Sequence, residues 1–210
     1  MSGVFITVEG GEGVGKSTQL AHIRDFLSAA GRQVLMTREP GGTPFAEIVR
    51  ELLLAPRSEK VAADAELLLM FAARASHLED RIRPALAAGS WVVCDRFTDA
   101  TYAYQGGGRG ISPERIRVLE RFVQRDFCPD ATLLLDAPIE IGLERAQGRA
   151  GAPDRFERED AAFFQRVRDA YLEMVRSEPA RFHVIDAAQP LEMVRKDIES
   201  VLVKLIEKYP

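Results

Sequence analysis

The chain has 210 residues, of which 46% are hydrophobic and 29% charged, a composition typical of a folded globular protein and unlike that of a disordered chain. This length is sufficient for one domain with a sizeable core, with or without a small lid. The net charge of −4 and the lack of any long run of like charge argue against a protein that wraps nucleic acid. No apolar stretch approaches about 20 residues, so the sequence predicts no transmembrane helix and no association with a membrane.

Apolar runs rich in β-branched residues alternate with segments of helical periodicity along the chain. Strands are predicted at 4–10, 33–37, 91–95, 132–136 and 182–186, and helices at 16–30, 45–54, 65–89, from Pro113 onwards, at 161–177 and at 191–208. The long helix is predicted to be kinked near Pro84, the stretches 38–44 and 101–110 to be loops or turns, and 144–160 to be a charged segment. The alternation predicts a three-layer α/β domain over residues 1–210, with a parallel sheet of about five strands and helices on both faces.

The two cysteines, Cys94 and Cys128, form no C-x-x-C pair and are too few for a disulfide framework. We expect both to be reduced and buried, as in a cytoplasmic protein. The three histidines have no metal-ligand spacing, so they predict no metal site.

The stretch GGEGVGKST, residues 10–18, follows the first predicted strand and opens the first predicted helix. It fits G-x-x-x-x-G-K-[ST], the P-loop of nucleotide-binding proteins, in which backbone N–H groups and the helix N-terminus hold phosphates. Lys16 adds a charge for the terminal phosphates, and the Ser17 hydroxyl can ligate Mg²⁺. The residues expected to surround ATP are Gly10, Gly11, Glu12, Gly13, Val14, Gly15, Lys16, Ser17 and Thr18. Glu12 is unexpected here, because a carboxylate lies in a loop that binds anions.

Several P-loop classes are disfavoured by what the sequence lacks. The chain contains no Asn, so it has no Asn-Lys-x-Asp guanine-binding stretch of a GTPase. Hydrolytic motors use a Glu beside the strand-end Asp to activate water. The strand ends here, VVCDRF and LLLDAP, carry no such Glu. Phosphoryl transfer to a bound small molecule is therefore the leading hypothesis. A non-catalytic ATP-dependent switch, such as a clamp-loader subunit, is the alternative from a different class.

Four further segments resemble motifs of the bacterial thymidylate kinases, in the same order along nearly the whole chain. They are TREPGGT at 37–43, LLLMFAARASH at 67–77, DRFTDATYAYQG at 95–106 and DRFE at 154–157. The resemblance implies transfer of the γ-phosphoryl group of ATP to dTMP with Mg²⁺, a P-loop NTPase fold, a lid at approximately 145–158, and a homodimer. Another nucleoside monophosphate, or a deoxynucleoside, stays open as the acceptor, although Arg96 favours a phosphorylated one.

The resemblance also implies the acceptor site. Arg96 follows Asp95 at the end of a predicted strand, and the planar guanidinium can bind a phosphate through two hydrogen bonds. Asp95 is expected to help hold Mg²⁺ through water, and Arg74 to donate to a base carbonyl, with Met70 or Phe71 one turn earlier stacking on the base. The remaining residues expected around dTMP are Glu12, Arg38, Glu39, Arg50, Thr101, Tyr104 and Gln105.

Members of this family carry a catalytic Arg either in the P-loop or in the lid. The loop here has Gly13 and Val14 instead of Arg, so the resemblance implies that the catalytic charge comes from Arg149 or Arg155 in the lid. Glu12 is implied to contact the 3′-hydroxyl of the acceptor sugar, and Arg145 to stack on adenine.

Overall fold

The protein is described from a computed structural model, which covers residues 3–56, 58–147 and 154–210. Five strands form one sheet in the order β2-β3-β1-β4-β5, and every neighbouring pair is parallel. The strands are β1 (Phe5–Gly10), β2 (Val34–Arg38), β3 (Trp91–Asp95), β4 (Ala131–Asp136) and β5 (Phe182–Asp186). The predicted parallel five-stranded sheet is confirmed.

Helices connect the strands and cover both faces of the sheet. They are α1 (Lys16–Ala29), α2 (Pro44–Leu54), α3 (Ala63–His77), α4 (Arg83–Ala87), α5 (Thr98–Thr101), α6 (Pro113–Gln124), α7 (Ile139–Gln147), α8 (Ala161–Ser177) and α9 (Leu191–Lys208). A π-helical segment, Leu78–Ile82, joins α3 to α4 just before Pro84, the residue near which a kink was predicted. No helix among the described residues is long and apolar enough to cross a membrane.

The core lies on both faces of the sheet because successive strand residues point to opposite sides. Ile6 and Val8 belong to a buried cluster with α1 and α9, whereas Phe5 packs on the other face against Phe97. Burial at every position of β1 explains why its sequence is mainly apolar on both faces, with Thr7 and Glu9 as the buried polar exceptions.

The glycine-rich stretch predicted as a turn is helical, and this prediction was wrong. After α5 the chain continues as a second π-helical segment, Tyr102–Gly108. A Cβ at Gly107 would lie 2.8 Å from the backbone oxygen of Arg166, and one at Gly108 would lie 2.4 Å from the Phe163 ring. The glycines therefore allow α8 to approach this segment closely, which a sequence pattern cannot distinguish from a turn.

Two other expectations differ from the structure. Helix α7 was not predicted, and it begins within three residues of β4. Cys94 is buried as expected, but Cys128 is exposed, because it follows α6 in the surface connection to β4.

Candidate active site

The loops after β1, β2 and β3 meet at one edge of the sheet because these strands are neighbours and parallel. The register pairs Val8 and Arg38 with Asp95, so β2 and β3 end at the same level and β1 extends two residues further, to Gly10. A cavity opens above this edge. Its wall is formed by Glu12, Lys16, Ser17, Arg38, Glu39, Pro40, Arg50, Leu54, Met70, Arg74, Asp95, Arg96, Phe97, Ala100, Thr101, Tyr104, Gln105, Asp154, Phe156 and Glu157.

The P-loop wraps around the N-terminus of α1. Gly13 and Gly15 have φ angles of 70° and 87°, a left-handed conformation that glycine adopts without strain. The Lys16 ammonium group donates to the backbone oxygens of Gly10 and Gly11, at 3.3 and 3.0 Å. Burial lowers the pKa of Lys16 to about 8, with the nearby Arg96 charge acting in the same direction. An anionic ligand would offset both effects, as expected for a phosphate-binding lysine.

Gly142 on α7 contacts the P-loop from behind, and the sequence reasoning missed this contact. A Cβ at Gly142 would lie 2.5 Å from the backbone oxygen of Glu12, and one at Gly13 would lie 1.8 Å from the backbone oxygen of Gly142. The loop and the helix therefore touch backbone to backbone. An isolated glycine inside a short helix was the available signal.

Arg96 has a φ of 66°, a conformation rarely adopted by residues other than glycine and often found at functional sites. Its guanidinium group donates to the backbone oxygen of Gly10 at 2.8 Å and lies over the Tyr104 ring at 4.7 Å. Its Nη2 atom is 3.9 Å from Glu12 Oε2. The Glu12 carboxylate therefore points from the P-loop towards Arg96.

Glu9, the penultimate residue of β1, is fully buried behind the site and was missed by the sequence reasoning. Its carboxylate accepts hydrogen bonds from the Phe97 N–H and the Tyr171 hydroxyl, both at 2.7 Å. Burial, together with the nearby Asp99 charge, raises the pKa of Glu9 to about 7. The signal in the sequence was a charged residue inside an otherwise apolar strand.

Arg74 is held in the cavity wall by a buried network. Its Nε donates to Glu39 Oε2 at 2.7 Å and its Nη2 donates to Thr101 Oγ1 at 2.9 Å. Glu39 Oε1 lies 2.9 Å from Nδ1 of His77, and Nε2 of His77 lies 2.6 Å from Thr37 Oγ1. Glu39 and Thr101 thus bind Arg74 in this structure, although both were predicted to contact dTMP. His77, to which the sequence reasoning gave no functional role, orients Glu39.

One nitrogen of Arg74, Nη1, is buried and has no hydrogen-bond partner within the described part of the chain. The guanidinium plane lies over the rings of Phe71 and Phe97, at 4.7 and 5.0 Å. Phe71 is 2% exposed and belongs to the core, whereas Met70 lies in the cavity wall. Of the two alternatives for base stacking, only Met70 faces the cavity.

The other acceptor-side residues fall into two groups. Tyr104 and Gln105 come from the π-helical segment, and both are buried in the wall. Arg38 and Arg50 come from β2 and α2, and each has a partner: Arg38 pairs with Glu47 at 2.8 Å, and Arg50 donates to the Pro40 oxygen at 2.9 Å.

The arginines predicted for the lid differ in where they lie. Arg149 falls outside the described residues. Arg155 is not in the cavity wall, because its guanidinium group pairs with Glu66 at 2.7 Å and donates to the Leu53 oxygen at 2.8 Å. Arg145 is exposed and donates to the Ala187 oxygen at 2.8 Å. Asp154, Phe156 and Glu157, which belong to the segment predicted to resemble the lid, close the cavity on this side.

The residues expected to hold Mg²⁺ suit this ion. Ser17 and Asp95 share the cavity wall, and Oδ1 of Asp95 is buried with no hydrogen-bond partner among residues 3–56, 58–147 and 154–210. Mg²⁺ is commonly bound by one or two oxygen ligands of the protein together with substrate phosphates.

A P-loop on a parallel sheet, with two further cation-bearing strand ends facing it, defines a nucleotide-binding phosphotransferase. The family model described as thymidylate kinase matches residues 8–198. Thymidylate kinases of Pseudomonas savastanoi pv. phaseolicola and Pseudomonas syringae pv. syringae are 60% and 61% identical to this chain, in each case over 99% of the chain and 98% of the relative. A crystal structure of thymidylate kinase from Ehrlichia chaffeensis is 34% identical with a TM-score of 0.77, covering 96% of this chain and 99% of that one.

The chain belongs to the thymidylate kinase family. It is accordingly an ATP-dependent phosphotransferase that phosphorylates dTMP to dTDP, in agreement with the sequence prediction.

Proposed function

We propose that the cavity binds dTMP with its phosphate at Arg96 and its base at Arg74, directly opposite the ATP held by the P-loop. The observation that carries this proposal is that Lys16, Arg96 and Arg74 line one cavity at the carboxyl edge of the sheet. The three cations come from different elements, α1, the end of β3 and α3. Such an arrangement suits two anionic ligands that meet end to end.

The donor phosphates are bound by the loop from Gly10 to Thr18, with Lys16 at the terminal phosphate. Ser17 and Asp95 would hold Mg²⁺, which would supply positive charge beside the donor phosphates. Arg145 contacts the adenine base of ATP.

The acceptor base is bound by Arg74, with Nη1 as the donor to a base carbonyl, and by Gln105. Met70 packs on the base and Tyr104 on the deoxyribose. Glu12, held near Arg96, contacts the 3′-hydroxyl, which explains a carboxylate in an anion-binding loop. Arg38 and Arg50 add positive charge on the phosphate side, whereas Glu39 and Thr101 act by holding Arg74.

Catalysis then depends on position and charge. The acceptor phosphate oxygen is itself the nucleophile, so no general base is required. Arg96 and Lys16 align the two phosphates and offset the charge of the transition state. Arg149 is the better candidate for the lid cation, because Arg155 is engaged by Glu66. A lid over approximately 145–158 would exclude water during transfer.

We also propose that the protein is a homodimer that acts on free nucleotides in the cytoplasm. Large apolar side chains are exposed on three adjacent helices, and a second copy of the chain would cover them. They are Phe45, Ile48 and Leu52 of α2, Leu68 of α3, and Val118 and Phe122 of α6. Phe122, at 84% exposed, is the natural site for a test. Phe122→Asp should convert a dimer to a monomer in sedimentation; a wild-type protein that sediments as a monomer would contradict the proposal.

The acceptor assignment is tested by measuring ADP release with each nucleoside monophosphate in turn. We expect turnover to require dTMP, and Arg96→Ala to remove it. Arg24→Ala, which removes an exposed arginine of α1, is the matched control. ADP release that is the same with every acceptor, or with none, would contradict the proposed site.

A further inference from the structure

Glu66 on α3 is fully buried but does not line the cavity. Its Oε1 accepts a hydrogen bond from Gln105 Nε2 at 2.8 Å. Two guanidinium groups lie beside the same carboxylate: Arg155 Nη2 is 2.7 Å from Oε2, and Arg109 Nε is 3.4 Å from Oε1. A carboxylate that pairs with two guanidinium groups serves as a hydrogen-bond acceptor.

This contact fixes the orientation of the Gln105 amide. An amide has one donating end and one accepting end, and Glu66 can bind only the donating end. Gln105 lines the cavity whereas Glu66 lies behind its wall, so the amide oxygen is the end that remains for a ligand. No described residue donates a hydrogen bond to that oxygen.

Arg74 has the opposite polarity, because a guanidinium group can only donate hydrogen bonds, and Glu39 holds it in position. The wall therefore presents one donor, Arg74, and one acceptor, the Gln105 oxygen, each held by a buried carboxylate. A base with a carbonyl next to an N–H matches this pair, as thymine and uracil do. Cytosine reverses both groups, so it would place a donor against Arg74 and a lone pair against the Gln105 oxygen.

We infer that Glu66 is a positioning residue that sets the hydrogen-bonding polarity of Gln105 and thereby selects an acceptor base that carries an N3–H group. The same carboxylate joins base recognition to the base of the lid, since Arg155 and Arg109 bind it and Arg109 also pairs with Glu159 at 2.6 Å. This inference rests on the proposed binding of the acceptor base at Arg74 and Gln105.

The test is Glu66→Gln, assayed for kcat/KM with dTMP and with dCMP. A glutamine at this position can donate as well as accept, so the Gln105 amide can turn its NH₂ group to the cavity. We expect kcat/KM for dTMP to fall and the preference for dTMP over dCMP to shrink by at least about tenfold. The matched control is Glu159→Gln, which changes a carboxylate of the same cluster without touching Gln105 and should keep the preference.

The exchange variant Glu66→Gln/Gln105→Glu separates positioning from a general loss of structure. It keeps the charge of the cluster and again presents an acceptor to the cavity, because a carboxylate accepts in either orientation. We expect it to restore the preference for dTMP. The inference is overturned if Glu66→Gln keeps the wild-type preference, or if it lowers both activities equally and the exchange restores nothing. A wrong assignment of the base site would give a different result. In that case Gln105→Leu would keep the kcat/KM for dTMP of the wild-type enzyme.

Discussion

The contact between the P-loop and α7 gives the sharpest prediction for the donor side, through Gly142→Ala. The added Cβ would lie 2.5 Å from the Glu12 oxygen, whereas an ordinary contact needs about 3.5 Å, so the loop and the helix must separate by about 1 Å. Such overpacking costs about 1–3 kcal/mol of stability. A displacement of about 1 Å in a phosphate-binding element can lower the rate about 100-fold.

The assay is steady-state ADP release with varied ATP and saturating dTMP, combined with urea unfolding. We expect kcat/KM for ATP to fall about 10- to 100-fold, while the Kd for dTMP stays within a few-fold of wild type. Glu140→Ala, at an exposed position of the same helix, is the control and should change stability by less than about 0.5 kcal/mol. Wild-type ATP kinetics in Gly142→Ala would refute the reasoning.

Three further predictions concern charges in and behind the site. The folded protein favours the protonated form of the Glu9 carboxyl group, since the fold raises its pKa from 4.5 to about 7. Its contribution to stability is therefore complete below pH 4.5 and is lost as the pH rises through 7. Wild-type unfolding free energy should fall by about 2–3 kcal/mol more than that of Glu9→Gln between pH 5 and 8 in urea titrations; parallel pH profiles would contradict the buried carboxylate. Asp95→Asn should raise the Mg²⁺ concentration for half-maximal rate about 10- to 100-fold, as expected for a residue that acts on the ion through water; an unchanged Mg²⁺ titration would exclude that role. Arg149→Ala should lower kcat roughly 10³-fold or more with little change in dTMP affinity, and a loss of only a few-fold would show that the lid cation lies elsewhere.

The sheet was predictable because parallel strands buried on both faces are continuous apolar runs, as in WVVCD and TLLLD. The P-loop was predictable because its chemistry is local: the glycines, Lys16 and Ser17 lie within one short stretch. The interruption before Pro84 followed from the lost backbone N–H of proline.

Contacts between distant segments were not predictable from one sequence. Glu39, His77 and Thr37 form a chain of hydrogen bonds across two elements, and no local spacing predicts their contact. Glu66 resembled an ordinary charged residue in the first turn of a helix, although it is fully buried. The run Gly106–Gly108 was misassigned for the same reason, because its close neighbour, α8, lies more than 50 residues later in the chain.

The central claim is that donor and acceptor phosphates meet between Lys16 and Arg96, with the acceptor base at Arg74. The most direct measurement is a crystal structure with a non-hydrolysable ATP analogue and dTMP bound together. We predict hydrogen bonds from Arg96 to the dTMP phosphate and from Arg74 to a thymine carbonyl, with the N3–H of thymine directed at the Gln105 oxygen. A dTMP molecule bound away from Arg96 and Arg74 would contradict the account.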